Sequence, residues 1–369
     1  LEARNGQEKT VPGTMPYAVL EGRAVVSDRT KQLSRRLDGL IAVIRHEDLD
    51  ETAAEQLAAS GVLAVINAAR VMTGVFPHTG PLPLVRAGIP IYEVEGDSFP
   101  LFREGEPVRI SGAFVELEYF RIPCRRFGEE QYLELSRRAR AREEHCLDRF
   151  AANSLVHALR ERKAIFGPLK LPPLGTAIRG RHVLVVARGG GCRKDLAALS
   201  GYIQRMDPVR IGVDGGADTL LDEGWIPHLI VGDMDSVSDR ALFSGAELVV
   251  HAYPDGTAPG LSRINKLQLP AHRFPVAGTS EDAALLLADA AEAEFIVGVG
   301  MNRHMGEFLG RGRRGMGSTL LTRMRIADRF LDARGISGIF SPDSAIPADC
   351  AGRRGEPDAA LDFHYYPRL

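Results

Sequence analysis

From residue 40 onward, short unbroken apolar runs alternate with segments of helical spacing. Residues 40–44 (Leu-Ile-Ala-Val-Ile) have strand length. Residues 50–60 set Ala53, Ala54, Leu57 and Ala58 on one helix face before Gly61 stops it. Residues 62–66 are the next apolar run, and strand–helix–strand order predicts a parallel pair with a right-handed crossover. Residues 81–87 read as a short helix stopped by Gly88, and 89–94 as a strand. Residues 108–110 and 113–120, separated by Ser111-Gly112, predict a hairpin. An N-terminal α/β domain is expected over 28–128, after a tail over 1–27.

The pattern changes at 129–163, which is dense in Arg and Glu and free of Gly and Pro. Its apolar positions, Leu133, Leu147, Leu155, Val156 and Leu159, are sparse. Two helices bridging a pair of domains fit this pattern, with an extended linker closing the segment at 173. Arg137, Arg138, Arg140 and Arg142 read as a solvated face or a partner surface. Sparse apolar positions predict that packing against a neighbouring domain or a second subunit supplies the missing burial, so a homodimer is expected. Beyond the linker, apolar runs at 182–187, 210–213, 229–231, 248–251 and 295–299 alternate with helical stretches at 196–205, 217–223, 239–244 and 281–290. Strands apolar on both faces predict a parallel sheet covered by helices on both sides, over 174–335. Residues 336–369 read as a polar tail.

The chain has 369 residues, 44% of them hydrophobic and 25% charged, which excludes wholesale disorder and suggests two or three domains. Its net charge of −2 argues against a dedicated nucleic-acid binder. No apolar run reaches the roughly 18 residues of a membrane span, and the first residues lack a secretory core. Four cysteines without metal-type spacing (Cys124, Cys146, Cys192, Cys350) argue against zinc and disulfides and point to the cytoplasm.

In parallel sheets ligands bind beyond the carboxyl ends of the strands, and four polar motifs fall there. Arg188-Gly-Gly-Gly191 opens a helix and offers amides and charge to an anion, or makes a tight strand-to-helix turn. Asp214-Gly215-Gly216 follows the next strand; Asp218 behind it fits a helix N-terminus. Gly232-Asp-Met-Asp-Ser236 is the strongest motif: in extended chain, Asp233 and Asp235 would point the same way and hold a hard cation such as Mg²⁺ with phosphates. A capped turn is the alternative there. Thr279-Ser280, followed by Glu281 and Asp282, fits a helix cap that also offers carboxylates to a metal–phosphate site.

Asp214-Gly-Gly-Ala together with Pro227-His-Leu-Ile-Val-Gly-Asp-Met-Asp-Ser236 resembles the nucleotide-binding domain of thiamine pyrophosphokinase, over about 181–300. The resemblance implies that Asp214, Asp233 and Asp235 serve ATP and Mg²⁺, with Asp233 and Asp235 as catalytic and metal-holding residues. Arg188, Gly189, Gly190, Gly191, Gly215, Gly216, Ser236, Thr279, Ser280 and Asp282 would bind the nucleotide phosphates. The family's Thr-Asp stands here as Thr279-Ser280, and Met305 and Gly306 replace its later Asp and His. The sequence after Gly335 is too short for the family's thiamine-holding sandwich, so thiamine is not the expected substrate.

A longer set of motifs resembles the bacterial cytokinetic-ring protein SteA family. It includes Ile41-Ala-Val-Ile-Arg-His-Glu-Asp-Leu-Asp50, Gly212-Val-Asp-Gly-Gly-Ala-Asp218, Val249-Val-His-Ala-Tyr-Pro-Asp-Gly256 and Gly312-Arg-Arg-Gly-Met-Gly-Ser-Thr319. That resemblance implies a role in septation, a membrane partner of the SteB type and a place at the inner face of the membrane near the division site. The expectation is thus a septation-associated protein whose degenerate domain binds a nucleotide or pyrophosphate with Mg²⁺. The alternative is an active Mg²⁺-dependent pyrophosphotransferase using ATP on an unknown alcohol. Two further features stand outside this scheme. His46-Glu-Asp48 and His78 read as a small-ligand site or as loop residues beside a cap at Asp48 or Asp50. The basic run from Arg311 to Arg329 suits phosphates, an anionic lipid surface or plain solvation.

Overall fold

The computed structural model describes residues 19–28, 33, 36–303, 305–310 and 312–340. Residues 1–18 and 341–369 of the expected tails, and Arg311 of the basic run, lie outside the described residues. Residues 20–27, expected in the first tail, are instead a strand paired on both sides within the first sheet, and 337–340, expected in the second, form a short helix. The first half forms an eight-stranded sheet. Its strands are β1 (Leu20–Ser27), β2 (Leu40–Ile44), β3 (Ala64–Asn67), β4 (Ile91–Glu93), β5 (Pro107–Ser111), β6 (Phe114–Glu116), β7 (Arg121–Pro123) and β8 (Arg125–Phe127). The order is β7-β6-β5-β1-β2-β3-β4-β8, with β1 to β4 parallel and the outer strands antiparallel. The expected strand–helix–strand unit is β2, α1 (Glu51–Ala59) and β3. The expected hairpin pairs β5 with β6 through Ser111↔Phe114. Helix α2 (Leu82–Arg86) follows β3, and two apolar clusters cover the two faces of the sheet.

The bridge is two helices, α3 (Glu129–Arg140) and the 24-residue α4 (Glu143–Phe166). The second half is a seven-stranded, wholly parallel sheet of β9 (His182–Val186), β10 (Val209–Val213), β11 (Leu229–Gly232), β12 (Glu247–Ala252), β13 (His272–Pro275), β14 (Phe295–Val299) and β15 (Phe330–Asp332). Its order is β13-β12-β11-β10-β9-β14-β15. Helices α5 (Cys192–Ala198), α6 (Ser200–Met206), α7 (Gly216–Asp222), α8 (Asp239–Leu242), α9 (Leu261–Lys266), α10 (Ser280–Ala290), α11 (Met305–Gly310), α12 (Gly317–Arg325) and α13 (Ser337–Phe340) connect and flank it. The single helix expected over 196–205 is two, α5 and α6, meeting at Leu199. The α/β reading with a helix-covered parallel sheet holds. Among the described residues no helix is long and apolar enough to cross a membrane.

Close packing of α12 on α4 joins the bridge to the second sheet. Gly317 lies so near α4 that a Cβ there would run into the backbone of Ser154 and Ala158. The Ser154 hydroxyl accepts the Met316 N–H at 2.9 Å, and Asn153 Nδ2 donates to the Arg314 carbonyl at 3.1 Å. Arg325 Nη1 donates to the Gly167 carbonyl at 2.9 Å while its Nε pairs with Asp289 at 2.8 Å, so the far end of α4 is held as well. Toward the first sheet, Cys146 Sγ donates to the Val75 carbonyl at 3.0 Å. Replacing Gly317 by Val should force the helices apart and cost about 2 kcal/mol or more. Denaturant melts of the variant check this, and an unchanged midpoint would show the crossing to be slack.

Candidate functional site

Both sheets turn the carboxyl ends of their parallel strands toward a common cleft. On the second sheet, Asp214 follows β10 with φ +47°, and Asp233 follows β11. Gly232 has φ +153°, and a Cβ there would collide with the Asp214 carboxylate, so glycine is required where the two strand ends meet. The Met234 N–H donates to Asp214 Oδ1 at 3.3 Å. A cavity of about 490 Å³ opens here, lined by Arg188, Asp214, Gly215, Asp233, Ser236, Thr279 and Ser280. The first sheet supplies the opposite wall with His46, Glu47, Asp50 and Thr52.

The expected same-side pairing of Asp233 and Asp235 does not form. Met234 adopts φ +62° with its side chain fully buried, which bends the chain out of the extended state that the i, i+2 argument requires. Asp233 Oδ1 instead accepts the Asp235 N–H at 3.0 Å, as in an Asx turn. Both side chains are exposed, but of the two only Asp233 lines the cavity. Asp214 and Asp233 line the cavity together with Glu281, which Asn302 already engages.

The other sequence motifs divide in the same way. Gly189 packs on the backbone of Gly300, and Gly216 on that of Val186, so these glycines serve close chain approach within the protein. Gly189 and Gly190 line a second cavity beside the first, and Gly191 takes φ +75° at the start of α5. Thr279 is the N-cap of α10: its hydroxyl accepts the Asp282 N–H at 3.0 Å, and Asp282 Oδ2 accepts the Thr279 N–H at 2.9 Å. Asp282 is fully buried, held by Ser318 and Thr319 hydroxyls at 2.9 and 3.1 Å, and does not line the cavity. Glu281 is also buried, its two oxygens accepting from Asn302 N–H and Nδ2 at 2.9 and 2.8 Å, but unlike Asp282 it lines the cavity. Asp218, read as a helix-terminal residue, binds the N–H and hydroxyl of Ser238.

On the first sheet, buried polar groups fix the strand-end loops. Asn67 at the end of β3 accepts the His46 N–H at 2.9 Å and donates to the His46 carbonyl at 2.8 Å. Asp50, not Asp48, is the N-cap of α1, accepting the Ala53 N–H at 2.8 Å. Asp48 has φ +50° and accepts from the N–H and hydroxyl of Thr73 at 2.7 and 2.9 Å. Burial by itself would raise its carboxyl, but His78 and the two Thr73 bonds outweigh it and hold the group below the usual carboxylate range. Asn302, which shares its cleft position with the four motifs, has no motif of its own. Its signal is its place just past the end of β14.

Hard-oxygen donors suit Mg²⁺, which commonly takes one or two carboxylates and completes its shell with phosphate oxygens and water. Asp214 and Asp233 match that partial set. Among the described residues no group of three or more His, Cys, Asp or Glu forms a closed metal site.

Residues 202–255 match the thiamin pyrophosphokinase catalytic domain family. Among solved structures, thiamine pyrophosphokinase from Bacillus subtilis is 23% identical over 41% of this chain and 61% of its own, with a TM-score of 0.25. The 3-isopropylmalate dehydratase (leuD) of Methanocaldococcus jannaschii is 13% identical over 34% of this chain and 99% of its own, with a TM-score of 0.23. The chain thus spans less than two thirds of that pyrophosphokinase. No curated protein matches it. The family match runs from α6 past the end of β12 and holds Asp214, Asp233, Asp235 and Ser236, while the Arg188 loop and the Thr279 cap lie outside it.

Proposed function

We propose that the cleft between the sheets binds the phosphates of a nucleotide such as ATP, or pyrophosphate, together with Mg²⁺. One observation carries this reading: the cavity at the ends of β9, β10 and β11 gathers three carboxylates (Asp214, Asp233 and Glu281), two arginines (Arg188 and Arg313) and the start of an 11-residue helix on one wall. Asp214 and Asp233 would hold the ion, which when bound offsets phosphate charge. Arg188 would pair with phosphate oxygens, and Thr279 and Ser280 bring them to the positive end of α10. Ser236 offers a hydroxyl on the same wall.

Binding is favoured over turnover because the carboxylates beside Ser280 are already engaged. Glu281 is held by Asn302, and Asp282 by the α12 hydroxyls. The rival reading, pyrophosphoryl transfer from ATP to an alcohol, rests on the family match around Asp214 and Asp233. It requires AMP to appear when ATP and Mg²⁺ are incubated with the protein and a pool of small metabolites. We place this ligand binding in a septation-associated protein on the strength of the motif resemblance along the chain. A SteB-type membrane partner and a place at the inner membrane face belong to that proposal.

Asp233→Asn keeps the shape and removes the charge, so calorimetry should show ATP affinity in the presence of Mg²⁺ falling tenfold or more, about 1.4 kcal/mol. Asp235→Asn should lose less, since Asp235 stands off the cavity. Equal affinity in wild type and Asp233→Asn would end the assignment.

A homodimer through the bridge is proposed as well. Leu155, Leu159 and Phe166 of α4 are 60%, 62% and 52% exposed and share one stripe of the helix. Light scattering should give twice the chain mass at micromolar concentration, and Leu159→Glu should return it to the monomer. A single-chain mass for wild type across the series would remove the dimer.

A further inference from the structure

A second cavity of about 350 Å³ lies beside the first, at the low end of the roughly 300–1,000 Å³ typical of small-molecule sites. Distant parts of the chain build it: the loops after β2 and β3, helix α3 and the start of α4, the Gly189-Gly190 loop, and Asn302, Gly306 and Glu307 after β14. Five buried side-chain polar atoms among the described residues lack a hydrogen-bond partner, and two of them, His78 Nε2 and Ser136 Oγ, belong to residues lining this cavity. The His78 side chain is only 9% exposed. Its Nδ1 accepts the Gly80 N–H at 3.3 Å, which leaves the ring proton on Nε2. Nε2 stands 3.4 Å from Asp48 Oδ1, a long contact whose charge draws the Asp48 carboxyl down but which does not make a well-formed hydrogen bond, and that oxygen already accepts two bonds from Thr73. A buried donor without an acceptor is costly, and a ligand oxygen would recover that cost.

The rest of the lining defines the ligand's chemistry. Asp48, Asp50, Glu51, Glu143 and Glu307 outnumber Arg140, so an anion is repelled. Yet the wall does not demand a cation: Asp50 caps α1, Asp48 is bonded by Thr73, and Glu307 pairs with Arg334. What remains is one orphan N–H, one orphan hydroxyl, and carboxylates with spare lone pairs. A hydroxyl group answers all three, since it accepts from His78 and donates to a carboxylate. Tyr132 and Pro77 add an apolar surface for the carbon face of a ring. We propose that this cavity binds a small neutral polyhydroxylated molecule of monosaccharide or cyclitol size. The inference does not need the nucleotide reading, although the Gly189–Gly190 loop and Asn302 would bring the two ligands within reach of each other.

Saturation-transfer NMR on the full chain tests it, without nucleotide, using glucose, ribose and myo-inositol as probes and gluconate as the anionic control. At least one neutral probe should show transfer and gluconate none. Ser136→Trp, which fills the cavity from α3, should weaken that probe at least tenfold, and Ser136→Ala by a few-fold. Calorimetry with ATP and Mg²⁺, run in parallel on each variant, should be unchanged within twofold and reports whether the neighbouring cleft is intact. If no neutral probe binds, if gluconate binds equally well, or if both Ser136 variants bind like wild type, the proposal is overturned. Polyol binding without ATP binding would instead overturn the nucleotide reading alone.

Discussion

The buried carboxylate of Asp282 is the contact on which the geometry of the cleft depends. It closes the N-terminus of α10 through Thr279 and accepts the hydroxyls of Ser318 and Thr319 from α12. A carboxylate removed from water is tolerable only when donors replace its hydration, and three donors converge on Oδ2 here, while Oδ1 is left without a partner among the described residues. Through them α10, which packs under the second sheet, fixes α12. Helix α12 in turn fits against α4 at Gly317, and α4 reaches the first sheet through Cys146 and Val75. The two sheets are therefore positioned by a chain of close backbone contacts and hydrogen bonds, buried at Asp282 and exposed at Cys146. A flexible linker alone would leave the two walls of the cleft without a fixed spacing.

This arrangement gives the parallel topology its consequence. Parallel strands place all their loops of one kind at one end, and each sheet here directs that end toward the other. The walls differ in character. The second half brings Arg188, Arg313, the start of α10 and the carboxylates of Asp214, Asp233 and Glu281, a set suited to phosphate with a cation. The first brings His46, Glu47 and Asp50, whose loops are pinned by Asn67 and by the Asp48–Thr73 bonds. A phosphate drawn to one wall thus faces acidic groups on the other, and a divalent ion between them relieves that conflict.

Much of the fold was legible because burial on both faces of a sheet leaves a plain trace: β9, β10, β11, β12 and β14 are all short, almost wholly apolar runs. Five strands lie outside the predicted runs, β1, β7, β8, β13 and β15, and the last two carry weak traces for physical reasons. β13 lies at a sheet edge, is rich in polar residues and ends in Pro275, with only Phe274 fully buried. β15 has three residues, none of them buried. Strand-end logic found Asp214 and Asp233, but the local geometry of Gly232-Asp-Met-Asp-Ser236 was not legible. Its conformation is set by Met234, which accepts a strained left-handed backbone in order to bury its side chain beside Val237 and Ile264. That energy is tertiary, and an i, i+2 rule written for extended chain cannot register it. Likewise the cap of α10 was readable from Thr279 and Asp282, whereas the second task of Asp282 depends on hydroxyls more than thirty residues away.

The same distinction explains why the second cavity is invisible in sequence although its residues are not. His46-Glu-Asp48 and His78 stood out as strand-end groups, and each alone is accounted for by loop structure. Only the fold shows that Ser136, from a helix that reads as a solvated spacer, faces the same space as His78, and that both leave buried polar atoms unpaired. Buried polar atoms are rarely left unpaired in folded proteins, and here two of them belong to residues of one cavity whose walls come from distant parts of the chain. Such a cavity exists only while α3 and α4 hold the sheets in register. Helix packing at Gly317 therefore bears on both cavities at once, because a shift of α4 that widens one wall moves the helix carrying Ser136 as well.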